Sequence, residues 1–279
     1  MPPYRLRGPL GHSWYMAYFL SSLWDRMLES GMAVRAVGFD FMGTLVHVHL
    51  DNEKYLRSMH RKLVGLGTAC SHQELREAHD EAAQRYRKIR VDTCREIDNR
   101  VWVADALKQL GYVVKPEDRL VTEAVDAYFD PFIASLRIAS GASATLSRIK
   151  QNFSVGLISN FSYGKAIREA LRKVRLDRFL DLVVISDEVG WRKPHPMIFQ
   201  IFLDQLKLEP SEAVYVGDDL KYDIEGARAA GMKTVLVSGS DTVREDEIYG
   251  QTPQPSSVTP DFTIKSLLEL LQILKQEFH

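Results

Sequence analysis

The sequence predicts an α/β fold: a Rossmann-like parallel sheet with helices on both faces, plus an inserted, mostly helical cap. Three observations carry this. Five short apolar runs each close on an acid, a serine or a glycine. Stretches of helical periodicity alternate with them, the pattern of strands buried on both faces of a parallel sheet. One long segment, residues 47–137, has helical periodicity and no buried-strand pattern, so it interrupts the sheet rather than extending it.

Residues 1–31 precede the alternation and read as an extension. Their apolar stretch Trp14–Trp24 follows Arg5 and Arg7 and has the length of a signal-peptide core. Asp25, Arg26 and Glu29 come next, not a small-residue cleavage site. The segment reads as an amphipathic helix over 13–29 with Ser13 as N-cap, ahead of a start at Met32. Such a helix would serve in partner docking, membrane-surface contact or as a lid, and as a dimer surface it would give a homodimer; the plainer reading is an added or mis-called extension before a native start at Met32. Ala33–Phe39 is the first strand and stops at Asp40. The cap follows, with helices at Asp51–Val64, Ser71–Arg90, Arg100–Leu110 and from Pro116–Asp118 to about Phe129. Ser71 and Glu74 form a capping box, and Gly111 stops a helix. A loop after a strand is where a lid over a site is grafted. The sheet core comprises residues 32–46 and 138–279. Its later strands are Phe153–Ser159, Leu182–Ser186, Ala213–Val216 and Lys233–Val237; its helices are Ser143–Lys150, Gly164–Val174, Pro196–Leu206 and Tyr222–Ala230. Pro253, Pro255, Ser256, Ser257 and Pro260 mark a loop, and a last amphipathic helix spans Ile264–Glu277.

Composition narrows the function classes. Lys and Arg number 36 against 37 Asp and Glu, without the basic excess of an electrostatic nucleic-acid binder. No run reaches the roughly 18 apolar residues of a membrane span. Two cysteines, Cys70 and Cys94, make no disulfide framework and fit a reducing, cytoplasmic setting.

Ligands of parallel α/β sheets lie beyond the carboxyl ends of the strands, and four motifs fall there. Asp40-Phe41-Met42-Gly43-Thr44 follows the first strand and sets a carboxylate beside a glycine turn. Ser159-Asn160 ends the second, offering a hydroxyl and an amide to an anionic oxygen. Lys193-Pro194 places a point charge where proline fixes the entry into a helix. Asp218, Asp219 and Asp223 gather three carboxylates after a buried strand. That is costly unless a cation or a basic group compensates, and oxygen donors of this kind suit magnesium. Singly, each has a plain reading: Asp40 as a turn residue, Lys193 as a surface charge, Asp219 as a helix cap. Their common placement beside strands points to one site.

The series Asp-x-x-Gly-Thr, Ser-Asn, Lys-Pro and Gly-Asp-Asp-x-x-x-Asp resembles the haloacid dehalogenase-like hydrolase superfamily over about residues 34–275, cap included. The resemblance implies that Asp40 is a nucleophile that forms an aspartyl-phosphate. It implies that Mg2+ is held by Asp40, the Met42 backbone carbonyl and Asp218. Ser159 would bind a phosphoryl oxygen with Asn160 and Lys193, and Lys193 would also neutralise charge on Asp40. Asp219 and Asp223 would orient Lys193 or metal-bound water from behind.

Met42 departs from the D-x-D-x-T pattern of the superfamily's phosphatases, in which the second Asp protonates the leaving alkoxide and then activates water. Such help is worth ~10²–10⁴ in rate, so the chain would be slow on alkyl phosphates or would draw on His47, His49 or Asp51 at the cap entrance. Haloacid dehalogenases also lack the second Asp, but usually lack the metal-binding acids too, and Asp218 is present. Phosphonatases lack it, keep magnesium and use a cap lysine as a Schiff base; Lys88 is a cap lysine. A weakly catalytic phosphate-binding protein is the remaining alternative. The leading expectation is a magnesium-dependent phosphatase acting on a small phosphorylated metabolite. Within the cap, Arg85, Arg87, Lys88 and Arg90 spread over more than one helix face, as a solvated surface does, while Trp102 and Tyr128 read as cap core.

Overall fold

The structure, a computed structural model, describes residues 33–49, 51–239 and 257–277. The helix expected over 13–29 and the loop through Pro253 and Pro255 lie outside these residues.

Six parallel strands form one sheet: β1 (Ala36–Phe39), β4 (Ser154–Ser159), β5 (Leu182–Ile185), β6 (Ala213–Gly217), β7 (Lys233–Val237) and β8 (Phe262–Ile264). Their order is β5-β4-β1-β6-β7-β8. In register, Phe39 lies between Leu157 and Val216, so β4 runs two residues and β6 one residue past the carboxyl end of β1. Side chains alternate between two buried faces. On β4 and β6, Val155, Leu157, Val214 and Val216 enter one apolar cluster; Ile158, Ala213 and Tyr215 enter another with Phe199 and Phe202. Burial on both faces is why these strands read as near-continuous apolar runs.

The helices cover both faces. Helix α5 (Ala142–Ile149) packs on α10 (Leu267–Glu277) and on β4. Helix α6 (Gly164–Lys173) follows β4, and the single turn α7 (Ser186–Val189) follows β5. On the second face α8 (Pro196–Leu206) packs on β4 and β5, and the short α9 (Gly226–Ala229) packs on α8. Four longer helices fill the insertion: α1 (Asn52–Gly65), α2 (His72–Thr93), α3 (Asn99–Gln109) and α4 (Arg119–Ser135). Helix α1 packs on α4 and α2 on α3, and Ser71–Glu74 makes the expected capping box. The insertion leaves and returns through a two-residue antiparallel ribbon, β2 (Val46–His47) with β3 (Arg137–Ile138).

Three details differ from the sequence reading. Helix α4 runs through Pro131 to Ser135, because Phe129, Pro131 and Phe132 continue its buried face. Residues Leu220–Glu225 form a π-type turn before α9, where one α-helix was expected. Phe262–Ile264 is a sixth strand, and the last helix starts after it, at Leu267. Among the described residues no helix is long and apolar enough to cross a membrane.

Candidate active site

The strand order reverses at β1: β4 and β5 extend to one side of it, and β6, β7 and β8 to the other. The crevice beyond β1 is therefore a topological switch point, where open α/β sheets bind their ligands. Asp40 stands at that point, and its backbone N–H donates to the Val216 carbonyl (2.9 Å), carrying the ladder one residue past β1. The chain then folds back sharply. The Phe41 carbonyl accepts from both Leu45 and Val46 (3.0 Å each), and Gly43 takes φ +90°. A Cβ at Gly43 would lie 2.1 Å from Asp218 Oδ2, so this turn approaches Asp218 only as glycine. Thr44 Oγ1 donates to Asp218 Oδ1 (3.1 Å).

The expected residues converge from the ends of β1, β4 and β6 and from the turn that leads into α8. Lys193, 3% exposed, donates through Nζ to Asp40 Oδ1 (2.6 Å) and to Asp223 Oδ1 (2.7 Å). Asn160 grips the Lys193 backbone from both sides: its Nδ2 donates to the Lys193 carbonyl (2.9 Å), and its Oδ1 accepts the Lys193 N–H (2.8 Å). Ser159 is buried at the end of β4, beside β1. Asp223 is positioned by the Asp219 backbone N–H (3.0 Å). The Asp219 carboxylate itself caps the following turn through the N–H groups of Lys221 (2.8 Å) and Tyr222 (2.9 Å), the capping role that its position also allowed.

Charge here is unbalanced. Burial raises the Asp40 carboxyl well above its usual range; Lys193 opposes this, and Asp223 and Asp218 add to it. Burial, and next the charge of Asp223, push Asp218 up to about 7. Lys193 is held well above its ordinary value: burial alone would lower it, but the charges of Asp223 and Asp40 outweigh that. Asp40, Asp218 and Asp223 each offer an oxygen, and these lie within 4.8 Å of one another. Hard oxygen donors and an excess of negative charge fit a divalent cation such as magnesium, and Gly43 lets the turn approach the Asp218 carboxylate.

Other expected residues lie elsewhere. His47 and His49 are exposed, and Asp51 caps α1 through the Lys54 N–H (3.0 Å). Lys88 is exposed and paired with Asp92 (2.6 Å). Arg90 is buried, not solvated: its Nε lies 3.0 Å from Glu96 and its guanidinium stacks over Trp102. Two buried polar residues escaped the sequence reading. Glu96, between α2 and α3, reaches the core, where it accepts from Arg192 Nη1 (2.6 Å) beside Lys193 and from Ser186 Oγ (2.5 Å). Tyr215, in mid-β6, reaches Lys193. A buried tyrosine hydroxyl seeks a partner, the one available hint.

Residues 34–231 match a model of the haloacid dehalogenase-like hydrolase family. The chain belongs to that family. This hydrolase is 32% identical to a glyceraldehyde 3-phosphate phosphatase of Methanopyrus kandleri, over 87% of this chain and 98% of that protein. It is 28% identical to a ribulose-1,5-bisphosphate 5-phosphatase of Halopiger xanaduensis, over 86% and 98%. A crystal structure of the HAD-hydrolase YfnB of Bacillus subtilis, bound to magnesium, shares its fold with a TM-score of 0.51 at 18% identity, over 87% of this chain and 99% of that one.

Proposed function

We propose that this hydrolase is a magnesium-dependent phosphatase that acts through Asp40 on a small phosphorylated metabolite. The observation that carries the reading is the cluster of three carboxylates at the switch point, the buried Asp40 and Asp223 bonded to one ammonium and the half-buried Asp218 beside them. The two full-length relatives are named for different phosphorylated metabolites, which supports the class rather than one compound.

In this reading Asp40 attacks phosphorus, the bond to the leaving oxygen breaks, and an aspartyl-phosphate forms. Water then attacks that phosphorus, the bond to Asp40 breaks and phosphate leaves. Lys193 offsets charge on Asp40 and on the transferring group, and Ser159 donates to a phosphoryl oxygen. Asn160 serves the site by fixing the Lys193 backbone, and Asp223 by fixing its ammonium. Asp40, Asp218 and the Met42 carbonyl would hold magnesium, which supplies positive charge against substrate and nucleophile. Met42 provides no proton to the leaving group, so acyl and aryl phosphates turn over faster than alkyl ones. Residues 47–137 form the cap and set substrate choice, with the ribbon at their base. The two unpaired cysteines support a cytoplasmic location.

A panel of phosphate esters assayed with magnesium tests the reading. Turnover by the native protein, reduced to background in Asp40→Asn with its fold retained, supports it. Turnover that persists in Asp40→Asn refutes it. Halide release from a 2-haloacid without magnesium would assign dehalogenation instead. Phosphate-dependent thermal stabilisation with no turnover would assign a binding protein.

A further inference from the structure

We infer that Tyr215 is a positioning residue that fixes the Lys193 ammonium against Asp40. The inference rests on the reading of Asp40 and Lys193 above. An ammonium has three N–H donors and no acceptor. Lys193 Nζ has three acceptors at hydrogen-bond distance: Asp40 Oδ1 (2.6 Å), Asp223 Oδ1 (2.7 Å) and Tyr215 Oη (3.1 Å). These match its donors one for one. With only the two carboxylates, the ammonium could swing about the line between them; the phenol oxygen makes the hold three-point.

The direction of the third bond is fixed by what lies behind it. Lys193 cannot accept, so the Tyr215 proton goes elsewhere, and the Ile158 carbonyl (3.1 Å) is nearer than Asp223 Oδ1 (3.4 Å). With its proton on Ile158, the hydroxyl turns a lone pair to Lys193. Burial first, with the charges of Asp223 and Asp40, raises the phenol well above its ordinary value and keeps it protonated. The ring is held as firmly. It is fully buried, with Phe199 edge-on at 5.1 Å between centroids. A Cβ at Gly38, its neighbour on β1, would lie 3.0 Å from Tyr215 Cδ2, so the ring occupies space that glycine leaves. The chain from Gly38 through Tyr215 to Lys193 runs from mid-sheet to the site.

Steady-state kinetics of Tyr215→Phe, with Asp40→Asn in parallel, test this. Loss of a hydrogen bond to a charged group predicts a fall of about tenfold in kcat. KM should stay within about twofold, because the phenol does not reach substrate in this reading. In a Lys193→Ala background the same change should alter kcat by less than about twofold, since the group it acts through is gone. A Tyr215→Phe kcat within twofold of native overturns the proposal, and so does an equal fold-loss in both backgrounds, which marks a merely structural role. If the phenylalanine variant does not fold, fluorotyrosine at position 215, a weaker acceptor of nearly the same shape, should lower kcat, and an unchanged kcat overturns the proposal. Activity surviving in Asp40→Asn would instead sink the underlying reading of the site.

Discussion

Two charge clusters buried among the described residues are built in opposite ways. At the switch point Asp40 and Asp223 hold the single ammonium of Lys193, and the half-buried Asp218 lies beside them. Where cap and core meet, one carboxylate, Glu96, with its side chain 1% exposed, sits between the guanidiniums of Arg90 and Arg192. Buried charge costs several kcal/mol per ion unless it is compensated. The Glu96 cluster supplies its own counter-charge from the chain, so it acts as a joint. The Asp40 cluster supplies one ammonium for three carboxylates, and burial, with the neighbouring carboxylates adding to it, raises Asp40 and Asp218. A deficit of this kind is what a bound cation relieves.

The comparison can be pressed by substitution. The largest expected effect comes from enlarging the deficit. Met42→Asp should raise turnover of alkyl phosphates by about 10²-fold, and of aryl phosphates by much less, while lowering the melting temperature in the absence of magnesium. Equal gains on both substrate types would argue against a leaving-group role. Next is breaking the joint. Glu96→Ala leaves two buried guanidiniums without their shared partner, at a cost of about 3–5 kcal/mol and a fall of about 10 °C in melting temperature. A shift below about 2 °C would show that the two clusters do not differ as described. The smallest effect has the opposite sign. A carboxyl raised from 3.8 to about 7 contributes stability below its unfolded value and loses it as pH rises through about 7. Asp218→Asn should therefore raise the magnesium-free melting temperature by a few degrees at pH 8 and leave it almost unchanged near pH 4. In the native protein, magnesium affinity should climb by up to about tenfold per pH unit below 7 and level off above, as measured by calorimetry.

What the sequence made legible follows the same physics. The five strands buried on both faces stood out as apolar runs, and their acidic or hydroxyl ends marked the site. Strand β8 did not, being three residues at the sheet edge with Thr263 exposed. Nor did the ribbon, whose pairing joins residues ninety positions apart. Asp40, Lys193, Asp218 and Asp223 were readable because each follows its strand by only a few residues or opens a helix. The grip of Asn160 on Lys193, the reach of Tyr215 and the insertion of Glu96 were hidden, because each is a bond between segments that no local spacing relates. Asp219 was readable two ways, and its side chain takes the local one, with the two N–H groups nearest along the chain.

The ribbon of β2 and β3 has a consequence for how such a protein diversifies. His47 and Arg137 are paired, and Ala139 N–H donates to the Leu45 carbonyl (2.9 Å) just outside them. Residues 48–136 thus leave and rejoin the chain of the sheet domain at two neighbouring points about one strand spacing apart. A segment exchanged there as a cassette must bring its ends together at that spacing, and it must also replace the bond of Glu96 to Arg192, the residue next to Lys193. Change in the insertion is thus bounded twice, by the doorway at its base and by the Glu96 bond beside Lys193.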